Sequence, residues 1–315
     1  MAELRWETRT VGLRFMLGEV PLGKATFRMR RLENHFMNLD ADLDDSRFEA
    51  PELWQGCQGV HVRSHPLQRP LRRIQRLPWA IRYVPCTYQH FYTNLTGSFD
   101  DYLKSHTRDS RRNVQRRIRR FQEFCGGVLD VREYRREDEI DEFFALAGEV
   151  SGKTYQENLL HVGMPRDGDY LERLRDQGRR DAFRGHLLFH DGKPIAFTSA
   201  RVEDDVVLGQ FLGYDPAYAK WSPGMTLEYC RMERLFAEGV YRLLDYGSGE
   251  SHYKQFFSTD SVRCGDLYYF RPSLKTRAIV RLHSGCDRFS GGVGALLQKT
   301  GAKTGFKKLL RRKTA

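Results

Sequence analysis

The 315-residue chain predicts an α+β fold, a mixed sheet flanked by helices rather than a doubly wound parallel one. Three observations carry this. From about residue 100 onward the elements run helices, antiparallel strands, helix, strand, helix, strand, instead of the strict strand-helix alternation of a parallel sheet. In "FHDGKPIAF" the pair Asp191-Gly192 joins two apolar runs, a strong hairpin signal. The apolar residues make up 40% of the chain, enough for a core, yet they fall into short runs such as "AFTSA" and "DVVLG" that cannot span a bilayer.

Taken in order, residues 1–99 read as short strands and loops, with turn signals at Gly18, Pro21 and Gly23 and loop prolines at Pro66, Pro70, Pro78 and Pro85. The acidic patch "NLDADLDDSRFE" imitates the start of a calcium loop with Asp40, Asp42 and Asp44. Asp45 stands where that loop needs glycine and Pro51 where it needs the closing glutamate, so the patch predicts no calcium. A long helix is expected from near Asp100, with Tyr102, Leu103, Val114, Ile118 and Phe121 as its apolar stripe among arginines. Gly126-Gly127 breaks the chain before the strand "VLDVREY". The helix "EDEIDEFFALAGEVSG" follows with Ile140, Phe143, Phe144 and Leu146 at helical spacing, then the helix "DYLERLRDQGRR" and the hairpin strands. Beyond the "SPG" turn come a helix over 225–238, the strand "YRLLDYG", a helical turn around "SHYKQFF" and the strand "GDLYYF".

The formal charge of +11 gathers in "RRNVQRRIRRF" and in the tail "KTGFKKLLRRK", patches that suit nucleic acid, anionic lipid, or acidic carriers and phosphorylated cofactors. Six scattered cysteines without a C-x-x-C pair predict reduced thiols and no zinc site. The charged N-terminus "MAELRWETRT" is unlike a signal peptide, and the expected location is the cytoplasm. His186 and His190 lie four apart on one predicted strand and share a face, but without a third ligand they predict no metal. No G-x-S-x-G elbow or Walker loop is present.

One stretch asks for a ligand. In "VVLGQFLGYDPAYAKWSPGMTLEYCRMERLF" an apolar strand runs into a Pro-Gly turn and then directly into a helix, and a helix start offers unpaired N–H groups and a positive dipole end to a phosphate. The same "SPG" also reads as a serine N-cap with proline at the first helical position.

Five motifs in order, "YLKSHTRDSRRNVQRRIRR", "KTYQENLL", "DGKPIAF", "YDPAYAKWSPG" and "LLDYGSGESHYKQFF", resemble the GNAT superfamily of acyltransferases over roughly residues 100–260. The branch they resemble is FemAB-like, among the CelD/BcsL-like and BioF2-like acetyltransferase domains. The resemblance implies a mostly antiparallel sheet, an acyltransferase domain over 100–275, a strand-rich and degenerate GNAT-like domain over 1–99, and a basic helical tail over 276–315. It implies acetyl-CoA or another acyl-CoA as co-substrate, with the backbone at Leu212 holding the oxyanion. Trp221, Ser222, Gly224, Met225 and Thr226 would then cradle the pyrophosphate, although this turn has one glycine where the family loop usually has two.

By the same resemblance Tyr253 protonates the departing sulfur, and Asp245 or Glu250 serves as base. Lys153, Tyr155, Gln156 and Lys254 are expected near the acceptor. Three functions are weighed. The first is an N-acyltransferase using acyl-CoA or an acyl carrier protein on an amine, a small molecule or an envelope precursor, as in envelope polysaccharide biosynthesis. The second is a FemABX-type transferase using aminoacyl-tRNA, with the arginine helix as the tRNA footprint. The third is a non-catalytic scaffold that binds polyanions. The tail sets Phe306, Leu309 and Leu310 among Lys307, Lys308, Arg311, Arg312 and Lys313, the pattern of peripheral attachment to an anionic membrane.

Overall fold

A computed structural model describes residues 6–17, 20–33, 42–154 and 163–299. Tyr155, Gln156 and the tail beyond 299 lie outside these residues. The chain divides into two compact units, residues 1–88 with 263–315, and residues 89–262.

In the first unit β1 (Trp6–Leu17) and β2 (Val20–Glu33) form an antiparallel pair, followed by β3 (Gly59–Pro66), β4 (Ile74–Arg76) and β5 (Ile81–Tyr83). The second unit begins in β6 (Thr87–Asn94) and continues through α1 (Phe99–Ser105), α2 (Arg108–Phe124), β7 (Asp130–Tyr134), α3 (Ile140–Lys153) and α4 (Gly168–Arg179). The hairpin strands β8 (Phe183–His190) and β9 (Lys193–Glu203) lead to β10 (Val206–Tyr214), α5 (Pro223–Glu238), β11 (Leu243–Ser248) and α6 (His252–Phe257). The chain returns to the first unit through β12 (Asp260–Phe270) and α7 (Leu274–Lys299).

The first unit departs from the expected short strands, because its first two are 12 and 14 residues long. The alternation is present but disguised by arginine: Phe27 and Met29 are buried on one face of β2 with Arg28 between them and Arg30 after them, and Leu32 is buried on the other face. β3 runs parallel to β2 and antiparallel to β12. α7 is tied to this sheet by His283, whose Nε2 donates to Arg14 O at 3.0 Å while its Nδ1 accepts from Tyr83 Oη at 2.7 Å. Asp45, from the acidic patch, is engaged by Arg82 at 2.6 Å and by Tyr269 Oη at 2.7 Å.

The second unit has the expected architecture, a mixed and mostly antiparallel sheet with helices on both faces. Among the described residues its strand order is β6-β11-β10-β9-β8-β7, and of these neighbours only β10 and β11 pair in parallel. The turn at Asp191 (φ 49°) and Gly192 (φ 71°) takes the left-handed geometry that a two-residue hairpin demands. Successive residues of β8 and β9 then face opposite ways. Leu187 and Phe197 meet α3 and α4 in a core with Ile140, Phe143 and Leu174, while Leu188 and Ala196 meet Phe121 of α2 and Leu227 of α5. The helix expected from Asp100 is two helices, because Thr107 caps a new one by accepting from Ser110 N at 3.2 Å.

Candidate active site

The parallel pair at the sheet centre does not run the length of its strands. β10 pairs with β11 through Val206↔Leu243, Val207↔Leu244 and Leu208↔Asp245, and there the ladder stops, although β10 continues to Tyr214. At the same point its register against β9 slips between Gly209 and Phe211, so Gln210 is the extra residue of a bulge. Gly209 suits the spot, since a Cβ there would stand 3.0 Å from Asp245 O. Beyond Leu208 the two strands part.

Two adjoining cavities open beside the parted strands. One, of about 250 Å³, is lined by Thr198, Ser199, Gln210, Arg231, Tyr253 and Lys254 among others. The second, of about 200 Å³, is lined by Leu212, Ser222, Gly224, Met225, Glu228 and Tyr253 among others. Thr198, Leu212 and Tyr253 line both.

These walls hold an unusual set of polar atoms. Thr198 Oγ1, Ser199 Oγ, Gln210 Oε1, Glu228 Oε2, Arg231 Nε and Tyr253 Oη are all buried without a hydrogen-bond partner among the described residues. Buried polar groups are nearly always paired, and an open one costs about 1–3 kcal/mol, so six around two joined cavities mark a place for a polar ligand.

Tyr253 is brought here by local chemistry that the sequence announces. Gly247 (φ 72°), near the end of β11, and Gly249 (φ 90°), just after it, take left-handed geometry, and Ser251 caps α6 by accepting from Lys254 N at 3.3 Å. The Tyr253 ring packs edge-on to Tyr246 at 5.7 Å. Burial first, and then the neighbouring Glu228 carboxylate, push its hydroxyl pKa well above the ordinary range against the opposing pull of Arg231. Tyr253 is therefore a neutral proton donor. Lys254 donates to Ser248 O at 2.8 Å and Gly247 O at 3.2 Å, and burial lowers its pKa while nearby Asp245 opposes the shift.

Of the expected cradle, Leu212, Ser222, Gly224 and Met225 line the second cavity. Ser222 is the N-cap residue of α5, in left-handed geometry (φ 56°), but its hydroxyl caps nothing and accepts instead from Arg117 Nη1 of α2 at 3.2 Å. Trp221 and Thr226 do not line the cavities. Trp221 stacks on Phe124 at 4.2 Å under Arg120 and Lys220, and Thr226 is fully buried below the first turn.

The expected bases stand apart. The Asp245 carboxylate is buried, bound to His90 Nε2 at 2.5 Å and to Gly247 N at 2.6 Å, and lines neither cavity. Glu250 is exposed, and Lys153 pairs with Asp215 at 3.0 Å, both away from the cavity walls. His190 stacks on Phe124 at 4.3 Å. His186 sits beside Thr198 in register, and its pKa is held well below normal by burial first and by nearby arginines, Arg231 foremost.

Glu228 and Arg231 were not anticipated. They lie three apart on α5 within the buried stripe that also holds Leu227 and Leu235, at 0% and 3% exposure. Two opposite charges inside an apolar helical stripe were the available signal. Arg231 Nη2 donates to Glu228 Oε1 at 2.6 Å, and Tyr246 Oη donates to the same oxygen at 3.1 Å. Burial works most strongly against the Arg231 charge, but Glu228 together with Tyr253 and Tyr246 outweighs it and holds the guanidinium pKa above its usual value.

With this geometry in hand, residues 108–255 match the model of a family described as acetyltransferase (GNAT) domain. No protein curated for function matches the chain by sequence. Among solved structures, the chain is similar to FemX at 10% identity, covering 84% of this chain and 88% of that one with a TM-score of 0.50. L-PGS from Bacillus licheniformis is similar at 12% identity, covering 83% and 85% with a TM-score of 0.50. A conserved protein of unknown function from Bacteroides thetaiotaomicron is similar at 12% identity, covering 79% and 83% with a TM-score of 0.50. At such identities the likeness speaks to the fold alone.

Proposed function

We propose, on the premise of an acetyltransferase (GNAT) domain across residues 108–255, that this protein is an acyltransferase that moves an acyl group from a phosphate-bearing thioester to an amine. One observation carries the reading: the open polar atoms of two joined cavities meet at a neutral tyrosine, beside a helix start flanked by arginine. The donor would lie in the second cavity with its phosphates at the α5 start, where Arg117 and the backbone of Ser222 and Gly224 stand. The donor supplies the activated carbonyl. Tyr253 gives its proton to the departing sulfur as the amine nitrogen bonds to carbon and the carbon–sulfur bond breaks. Glu228 Oε2 takes the proton shed by the amine and returns it to Tyr253, so the enzyme ends as it began.

The cradle makes a first prediction. A Cβ on Gly224 would stand 3.3 Å from the Tyr214 ring, so alanine fits after a small shift of that ring, whereas a larger side chain enters the cavity. Gly224→Leu should raise the Kd for CoA at least tenfold with an unchanged melting temperature; equal affinity in calorimetry would remove the cradle.

A second donor class is favoured by α2. Arg112, Arg116, Arg117, Arg119 and Arg120 are exposed along a helix whose Arg117 reaches the α5 start, a longer basic row than one pyrophosphate needs. That row suits the backbone of an aminoacyl-tRNA. Thiol release from acetyl-CoA with an amine panel tests the first donor, and release of amino acid from charged tRNA the second. With either donor, Arg117→Ala should raise its KM roughly three- to tenfold, an exposed charged contact, and the effect should shrink with added salt. If neither donor turns over and polyanion binding persists, the transferase reading is lost and a binding scaffold takes its place.

A further inference from the structure

Glu228 and Arg231 form an ion pair out of water, an arrangement that apolar residues of similar volume would match or exceed in stability. What the pair supplies instead is two opposite charges held one helical turn apart, each with one hydrogen-bonding atom left open. Glu228 Oε1 is occupied by Arg231 and Tyr246, while Oε2 has no partner among the described residues, and neither does Arg231 Nε. Glu228 lines one cavity and Arg231 the other, with Tyr253 between them lining both. A ligand that satisfies both open ends must bring a cationic donor to Oε2 and an anionic acceptor to Nε. On the Arg231 side the open hydroxyls of Thr198 and Ser199 add donors for a second anionic oxygen.

We propose that the Glu228–Arg231 pair is a receptor for a zwitterion, so that the acceptor of the reaction is a free α-amino acid or a molecule with the same end, a primary ammonium and a carboxylate on one carbon. The ammonium lies at Glu228 Oε2 beside Tyr253, and the carboxylate lies at Arg231 Nε; one ammonium proton is released to solvent before attack, and the second passes through Glu228 to Tyr253 as the amide forms. The inference rests on the transferase reading for the word acceptor, but the binding it describes needs no donor and no turnover. It also gives the buried pair a reason to exist, since each charge is completed by the ligand charge of opposite sign.

The test is calorimetric titration of the full chain, without donor, against L-amino acids, the matching amines that lack the carboxylate, and the matching acids that lack the ammonium. At least one amino acid should bind roughly ten- to hundredfold more tightly than both of its single-charge analogues, the range of one charged hydrogen bond. Arg231→Lys keeps a cation for Glu228 and removes the Nε donor. In a variant that melts like the parent, it should bring amino-acid affinity down to that of the amine and leave amine affinity unchanged. Equal binding of amines and amino acids, no binding by any amino acid, or a folded Arg231→Lys variant with parental affinity would each overturn the receptor. Should Arg231→Lys fail to fold, the panel on the parent protein decides alone. Thiol release with the same compounds separates the two readings. Amino-acid binding without release from any donor leaves the receptor and sinks the transferase, whereas release with simple amines at equal efficiency leaves the transferase and sinks the receptor.

Discussion

Tyr253→Phe is expected to lower turnover roughly 10- to 1000-fold, the range for loss of a positioned acid, while leaving the melting temperature within about a degree. The two halves of this expectation have separate causes. Stability is largely spared because the Tyr253 hydroxyl faces the Glu228 carboxylate without a well-formed hydrogen bond to any described residue, and the ring keeps its edge contact with Tyr246. Turnover falls because the departing sulfur loses the nearest proton. The pH dependence follows from the direction of the shift: with its pKa held well above the ordinary value of 10, Tyr253 stays protonated throughout the neutral and mildly alkaline range. An alkaline fall in kcat below pH 10 therefore belongs to another group, and it should persist in whatever activity Tyr253→Phe retains. Full turnover by the variant, under conditions where chemistry limits the rate, would take the acid role away from this hydroxyl.

How far the sequence led depends on where the information was local. The hairpin at Asp191-Gly192, the glycines Gly247 and Gly249 at the C-terminal end of β11 and the Ser251 cap of α6 act within a few residues, and these signals place Tyr253 and Lys254 at the cavity. The α5 start was legible for the same reason, with Ser222, Gly224 and Met225 on the wall. Trp221 and Thr226 belong to the same stretch but were not separable by sequence. The direction of a side chain around a turn depends on what packs above it, here Phe124 of α2. Asp245 shows the limit more sharply. It lies inside β11 rather than at its end, at the last rung paired with β10, and its carboxylate is engaged by His90, a residue 155 positions away that the pairing of β6 with β11 brings near. The bulge at Gln210 and the parting of β10 from β11, which create the cavity, are likewise products of strand register, and register across a sheet is not written in either strand alone.

Arg231→Ala should be among the most damaging single changes in the second unit, for a reason independent of any ligand. It leaves the Glu228 carboxylate at 0% exposure without its cation, and stranding one member of a buried pair costs about 3–5 kcal/mol. At roughly 2–4 °C per kcal/mol for a unit of this size, the melting temperature should fall by about 6–20 °C. Glu228→Ala should do comparable harm by stranding the guanidinium. The double change Glu228→Gln with Arg231→Met is expected to recover most of the loss, because it removes both charges and keeps the volume, while abolishing whatever the open Oε2 and Nε atoms bind. Thermal melts of Glu228→Gln alone, Arg231→Met alone and the double variant close the cycle. If the losses simply add, the two side chains are not coupled in solution, and neither the pair nor the receptor built on it survives. If the double variant recovers stability but stays inactive toward every acceptor, the charges are retained for the ligand rather than for the fold.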